Sequence, residues 1–269
     1  MILKDVAEPK QCYLVEALAR RWQDWGFHVF THIGTRNLPP ADIVLLHVDT
    51  SRVPPRFTKA VREYPVVLNR HVQDITKTVI STQLVQQSDN YSGPVIVKTD
   101  ANYGGIPEAR LKRKRFRFLS GRKNSWAKCE RLDAANYPVF ESKQEVPAGV
   151  WDNRHLVVEK FIPEKEEDLY FIRYWIFCGD CGWAGRFGAR SPVVKWSKMA
   201  TPDELIEIPE QLVRLREKLG LDYGRFDFVM YEGEPVLLDA NKTLGGSHHL
   251  DEYDAQLNKL ARGIYHYLK

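Results

Sequence analysis

Residues 224–246, GRFDFVMYEGEPVLLDANKTLGG, place two apolar-rich runs on either side of Glu232-Gly233-Glu234-Pro235. Turn chemistry of this kind between alternating runs joins antiparallel strands, so the segment is constrained to a hairpin. Centred on Gly233, the hairpin sets Asp227 opposite Asp239, Arg225 opposite Asn241 and Val229 opposite Leu237. Side chains alternate faces along a strand, so Arg225, Asp227, Asp239 and Asn241 project to one side. Opposed side chains stand roughly 4.5–5.5 Å apart at Cβ, and like charges placed there repel. Two carboxylates tolerate that position when a cation or a shared proton lies between them. Two aspartates with an asparagine oxygen suit a hard ion, Mg²⁺ or Mn²⁺, better than zinc. The competing reading is a solvated polar face on a half-buried hairpin.

The rest of the chain bears on that choice. Its 269 residues suffice for one large domain or two small ones, and 43 % hydrophobic with 28 % charged residues is ordinary for a globular enzyme. A net charge of +4 is too small to argue for nucleic acid. Neither a signal-like N-terminal apolar region nor an apolar run near 18 residues is present, which points to a cytoplasmic protein without a membrane span. The four cysteines suit a reducing compartment. Cys178-Gly179-Asp180-Cys181 lies in a Gly-Asp turn between strand-like runs, a poor context for a zinc ribbon or a redox helix.

Residues 1–70 read as strand, helix, strand, strand, helix, strand, a small parallel-sheet domain. Leu14, Leu18 and Trp22 mark a helical face stopped by Gly26, and Phe27–Phe30, 43–48 (IVLLHV) and 65–68 read as strands. Asp74 can cap a linker helix running to about Gln87, within a linker at 71–90. A central subdomain at 91–163 opens with the strand VIVKTD and ends with HLVVEKFIP. The C-terminal part, 164–269, starts a hairpin at LYFIRYWIF, and Thr201-Pro202-Asp203-Glu204 reads as a capping box opening a helix. A longer helix follows Pro209 and stops at Gly220, and residues 251–268 close as an amphipathic helix.

Four further features carry chemistry. Lys98 ends a strand before Asn102-Tyr103-Gly104-Gly105, where backbone N–H groups and an ammonium can meet phosphate oxygens; a solvated edge lysine is the plainer reading. Glu159-Lys160-Phe161-Ile162 ends a strand ahead of the acids Glu164, Glu166, Glu167 and Asp168. Its backbone can read an adenine edge while one of the acids takes the ribose. Arg173, Arg186, Arg190 and Arg225 fall on strands or strand turns, where forked recognition of phosphate or carboxylate explains arginine better than lysine. RLKRKRFRFLSGRK at 110–123 has eight basic residues in fourteen and reads as a solvated loop or a phosphate-facing flap. Phe116 and Phe118 could stack on bases, but no nucleic-acid fold signature accompanies them.

In this order, over roughly residues 65–250, these pieces resemble the ATP-grasp superfamily, on the carboxylate–amine ligase branch of D-alanine–D-alanine ligase and glutathione synthetase. The resemblance implies an α/β (α+β) ATP-grasp fold behind a shortened N-terminal α/β domain. It implies ATP held by Lys77, Lys98, Gly104, Gly105 and the hinge Glu159, Lys160, Phe161 and Ile162, with Glu166 or Asp168 on the ribose. Mg²⁺ or Mn²⁺ would sit on Asp227, Asp239 and Asn241, and Arg186, Arg190 or Arg225 would face the phosphoryl group. The implied partners are a small-molecule carboxylate and an amine, joined through an acyl phosphate. The family more often has Glu where Asp239 stands, and the basic run replaces a small lid. Gly245-Gly246-Ser247-His248-His249 follows the metal strand and would face the substrates, with His248 a weaker candidate for acid–base work. An ATP-grasp kinase, a nucleotide-binding protein without turnover, and a nucleic-acid-binding module are the alternatives.

Overall fold

The computed structural model describes residues 1–5, 13–113, 125–245 and 253–268, arranged as three sheets that follow one another along the chain. The first contains β1 (Ile2–Lys4), β2 (Thr31–Ile33), β3 (Ile43–His47) and β4 (Val66–Leu68), all parallel, in the order β2-β1-β3-β4. Helices α1 (Leu14–Asp24) and α2 (Pro55–Ala60) supply the crossovers, in the element order read from the sequence. Helix α1 buries Leu14, Leu18 and Trp22 at four-residue spacing. Gly26 at φ +90° then turns the chain, a conformation glycine adopts without a Cβ penalty. Residues Phe27–Phe30 run up to the strand rather than forming it. Phe27 and Val29 pack on the core while the parallel pairing with β1 begins at Thr31.

The expected linker helix is much shorter. Helix α3 covers only Lys77–Ile80, and Asp74 accepts the Thr76 N–H at 2.8 Å while pairing with Arg52. Beyond Ile80 the chain is extended, with Gln83 and Val85 bonded to the second sheet, so tertiary pairing replaces helical bonds there. That sheet is antiparallel, in the order β6-β5-β7, from β5 (Val95–Thr99), β6 (Val139–Phe140) and β7 (Leu156–Lys160). Helices α4 (Ile106–Arg113) and α5 (Ala148–Trp151) lie between its strands. The basic run ends α4 with residues 110–113; most of the proposed flap lies outside the described residues, as do Gly246, Ser247, His248 and His249.

The third sheet has β8 (Glu164–Glu166), β9 (Leu169–Cys178), β10 (Cys181–Ala189), β11 (Glu204–Ile206), β12 (Tyr223–Tyr231) and β13 (Glu234–Asn241). Its order is β11-β10-β9-β12-β13, with β8 beside β9 and every pairing antiparallel. Helix α6 (Glu210–Leu219) begins after Pro209 and ends at Gly220, φ +65°, as read from the sequence. The Thr201–Glu204 capping box does not open a helix, and Glu204 starts the edge strand β11 instead. Its polar side chains have tertiary partners: Thr201 Oγ1 accepts the Gly188 N–H, and Asp203 accepts the hydroxyls of Tyr174 and Tyr253.

One face of the third sheet packs Trp175, Phe177, Phe226 and Phe228 against Leu212 of α6. On the other face Tyr174, Phe187 and Tyr223 meet α1 and α7 (Asp254–Arg262). Trp22 Nε1 donates to the Ala261 carbonyl at 2.8 Å, tying the first crossover helix to the last helix of the chain. Among the described residues no helix is long and apolar enough to cross a membrane.

Candidate active site

The hairpin forms from β12 and β13, but its pivot differs from the one expected. Glu232 and Gly233 both take positive φ, 51° and 85°, a two-residue turn whose twist matches the strands. Tyr231 therefore pairs with Glu234, and Val229 faces Val236 rather than Leu237. A bulge between Asp227 and Phe228 then shifts the register by one residue, with Leu238 as the extra residue. The two offsets cancel, so Asp227 stands opposite Asp239 and Arg225 opposite Asn241.

Between the second and third sheets lies an open cleft of about 750 Å³, its mouth included. Lys77, Lys98, the hinge residues Lys160, Phe161 and Ile162, and both Asp227 and Asp239 line it together. Lys98 reaches it from β5 and is held 2.6 Å from Glu159 Oε2 on β7, both residues being buried. Lys77, on the first turn of α3, is only 2 % exposed, and its Nζ has no hydrogen-bond partner among the described residues. Its nearest charge is Asp239 Oδ1 at 3.5 Å. A buried ammonium without a full set of acceptors is costly unless an anion completes it.

Lys195 was not apparent in the sequence. It follows Pro192-Val193-Val194 in the loop after β10, and the whole segment lines the cleft. Burial pushes its ammonium below the ordinary lysine range, the charges of Asp227 and Asp239 push it back up, and those of Lys98 and Arg225 lower it. The only signal in the sequence was a lone lysine inside an apolar, proline-bearing stretch. Four lysines and two aspartates thus line one cleft whose walls, from Ile96, Phe161, Ile162, Ile172 and Leu238, are apolar. An excess of ammonium groups over carboxylates in an enclosed site suits a polyanion.

Strand parity redirects several other candidates. Pairing of Arg186 with Arg173, and of Asp227 with Tyr174, puts the two arginines on the face opposite Asp227. There Arg173 makes a fork to Glu164 at 2.8–3.0 Å, Arg186 Nε donates to Glu164 at 2.9 Å, and Arg186 also pairs with Glu166. The guanidinium of Arg186 lies 3.7 Å from the Phe171 ring centroid. Burial alone would raise the Glu164 carboxyl. The Arg173 hydrogen bonds, the Met230 N–H and the charges of Arg173 and Arg186 outweigh it and hold the group below its ordinary range. Arg186 and Glu166 are therefore parts of this network, not of the cleft. Arg190 is exposed beyond the end of β10, and Asp168 is exposed in the β8–β9 turn. Neither lines the cleft.

Gly104 and Gly105 are also displaced. Tyr103, Gly104 and Gly105 all take positive φ, and a Cβ on Gly104 would come within 2.6 Å of the Leu132 carbonyl oxygen. Backbone packing accounts for that glycine, and Gly105 lines a neighbouring polar cleft with Thr50, Asp100 and Glu108.

Arg225 does face the site. Its Nε donates to Asp227 Oδ1 at 2.7 Å and its guanidinium lies 5.0 Å from the Tyr174 ring centroid. Asn241 Oδ1 accepts the Thr243 N–H at 3.0 Å and retains a second lone pair. Among the described residues no three His, Cys, Asp or Glu side chains gather at a metal-binding distance. The donor set is two opposed carboxylates with an amide oxygen, all hard oxygens. With Lys77 and Arg225 flanking the acids, these residues fit one hard cation shared with a bound anion.

No protein-family model matches the sequence, and no curated protein matches it. Solved structures do. The ATP-grasp ligase PsnB complexed with a minimal precursor is 12 % identical with a TM-score of 0.57, over 100 % of this chain and 98 % of that one. The RimK domain protein ATP-grasp from Sphaerobacter thermophilus DSM 20745 is 11 % identical, TM-score 0.51, over 98 % and 100 %. The macrocyclase MdnC from Microcystis aeruginosa MRC, bound with precursor peptide MdnA, is 12 % identical, TM-score 0.50, over 97 % and 98 %. The chain has the α+β ATP-grasp fold.

Proposed function

We propose that this chain is an ATP- and Mg²⁺-dependent ligase that joins a carboxylate to an amine through an acyl phosphate. The observation that carries the reading is the opposed pair Asp227–Asp239 at the end of a cleft that also holds Lys77, Lys98 and Lys195. A PsnB structure with the same fold, TM-score 0.57, contains Mg and ADP.

In this reading the adenine lies between the apolar walls at Lys160–Ile162. The Lys160 and Phe161 N–H groups already donate to the Gln83 and Pro94 carbonyls, so Ile162 offers the hinge donor. Lys77 and Lys98 take the phosphates, and Glu159 keeps Lys98 extended towards them. Asp227, Asp239 and Asn241 would hold Mg²⁺, which would supply positive charge to neutralise the phosphates. Arg225, which holds Asp227 on the same strand, is placed to meet the substrate carboxylate, where its planar guanidinium geometry suits it. A carboxylate oxygen then attacks the γ-phosphorus, the bond to the bridging oxygen breaks, and ADP leaves. The amine nitrogen attacks the acyl carbon, phosphate departs, and the amine proton passes to solvent. Lys195 sits where charge accumulates on the transferred group, and positioning with charge neutralisation supplies the acceleration.

The test is the fate of the phosphoryl group. With a responsive carboxylate, ATP and hydroxylamine in place of the amine, a hydroxamate should form together with ADP. ADP release with a stable phosphate ester and no hydroxamate would make the chain a kinase.

A further inference from the structure

A second cavity, about 1240 Å³ including its mouth, adjoins the nucleotide cleft. Ile172, Val194, Lys195 and Asp227 line both, so the two spaces meet where the phosphoryl group would be transferred. At that end the second cavity also presents Arg225 and Asn241. Away from it the wall is built by Trp183, Phe187, Trp196, Tyr253, Leu244 and Leu257. The rings brace one another: Trp183 stacks on Tyr253 at 6.4 Å, and Phe187 meets Trp196 edge-on at 4.9 Å. Helix α1 contributes Leu14 and α7 contributes Leu257, so the far wall comes from both ends of the chain.

Among the described residues the charged side chains of this space, Lys195, Arg225 and Asp227, gather at one end, and away from it Trp183 Nε1 is a buried donor without a hydrogen-bond partner. The only tyrosine hydroxyls on its described walls, those of Tyr174 and Tyr253, both donate to Asp203, at 2.5 and 2.9 Å. Asp227 is the only carboxylate on those walls, and it is the proposed metal ligand. A small amino acid would find no carboxylate for its ammonium on the described walls other than Asp227, and a sugar acid would set all but one of its hydroxyls against indole carbons and leucine. A compound with a carboxylate at one end and an apolar body satisfies both parts of the cavity.

We infer that the acceptor is a carboxylic acid with a bulky aromatic or branched apolar body, its carboxylate forked by Arg225 and its body enclosed by Trp183, Trp196 and Tyr253. The inference rests on the ligase reading of the adjoining cleft.

Trp183 and Trp196 in the wall supply a readout independent of turnover. Titrating the full chain with 4-phenylbutanoate should change tryptophan emission saturably, whereas acetate, glycine and glutamate should not. In the hydroxylamine assay 4-phenylbutanoate should exceed those three in kcat/KM by at least about tenfold, the scale on which apolar pockets discriminate. Gly245 lines the cavity, and a Cβ added there meets nothing within 4 Å. Gly245→Phe should therefore abolish the emission response while the thermal shift with Mg·ADP persists, which shows that the variant is folded. As a milder second variant, Leu244→Phe should weaken the response at least about tenfold. Hydroxamate from glutamate or a glutamyl peptide, with none from 4-phenylbutanoate, would overturn the substrate class and leave the ligase standing. An emission response unchanged in both variants would overturn the assignment of the cavity. Absence of any Mg·ADP shift in the wild type would bring down the ligase reading and this inference with it.

Discussion

The two faces of the third sheet both carry arginines against carboxylates, and they differ in what remains to be bound. On the α6 side Glu164 accepts from Arg173, Arg186 and the Met230 N–H, and Arg186 also takes Glu166. Every charge in that network has a protein partner, so it serves as a structural clamp that holds β8 to β9, β10 and β12. On the cleft side Arg225 holds Asp227, Asp239 faces a lysine at 3.5 Å, and that lysine is buried without a hydrogen bond among the described residues. Charge left incomplete by the protein distinguishes the candidate functional face from the face where the protein completes it. Residue type alone does not distinguish them; strand parity does.

The largest effect that would test this contrast is on the clamp. Glu164→Gln should destabilise the fold by about 3 kcal/mol in urea denaturation, the lower end for a buried pair because both arginines reach some solvent. Its pH dependence has a definite sign. The Glu164 pKa is lowered by folding, so its stabilisation is complete above the ordinary value of 4.5 and is lost as pH falls through the lower folded value. The gap between wild type and Glu164→Gln should therefore narrow only below about pH 4.5. A gap that narrows near neutrality would mean that the clamp is not what carries the effect.

Next in size is the nucleotide. At a hundredfold excess over Kd, Mg·ADP should add about 2.7 kcal/mol to the wild type and much less to Lys98→Met or Lys77→Met, read by thermal shift. Equal melting of all three with and without nucleotide would place the functional face elsewhere. Asp227→Asn, or removal of Mg²⁺ with EDTA, should lower turnover at least tenfold, about 1.4 kcal/mol, with melting in the absence of ligand little changed. The smallest effect sharpens the parity argument. Arg225→Lys should lower turnover, whereas Arg190→Ala should change stability and turnover by less than about 0.5 kcal/mol, as for an exposed position outside both networks.

Much of the site could be read locally. The hairpin, the strand ending in Lys98 and the EKFI hinge are set within short stretches, because alternation and turn chemistry act over a few residues. The exact pivot was not legible, since a two-residue turn and a bulge at Leu238 give the same Asp227–Asp239 pair as a turn centred on Gly233. The capping box at Thr201–Glu204 misled because Thr201 and Asp203 satisfy other backbone and side-chain groups than a helix end. The linker helix shortened for a related reason: Gln83 and Val85 pair with the second sheet in preference to a helix of their own.

By itself the sequence determined which residues share a strand and therefore which of them can face one another: Arg225, Asp227, Asp239 and Asn241 follow from a period of two. It also contained the parity that separates Arg186 from Asp227, although the pairing of β9 with both neighbours was needed to put the two on a common sheet. Tertiary structure alone brought Lys77 and Lys195 to the aspartates and closed the aromatic cavity with Leu14 and Leu257 from opposite ends of the chain. Those contacts join residues whose separation leaves no local signature. They depend on the burial of apolar faces on α1, α7 and the sheet, a non-directional force that fixes which surfaces meet only when the whole chain packs.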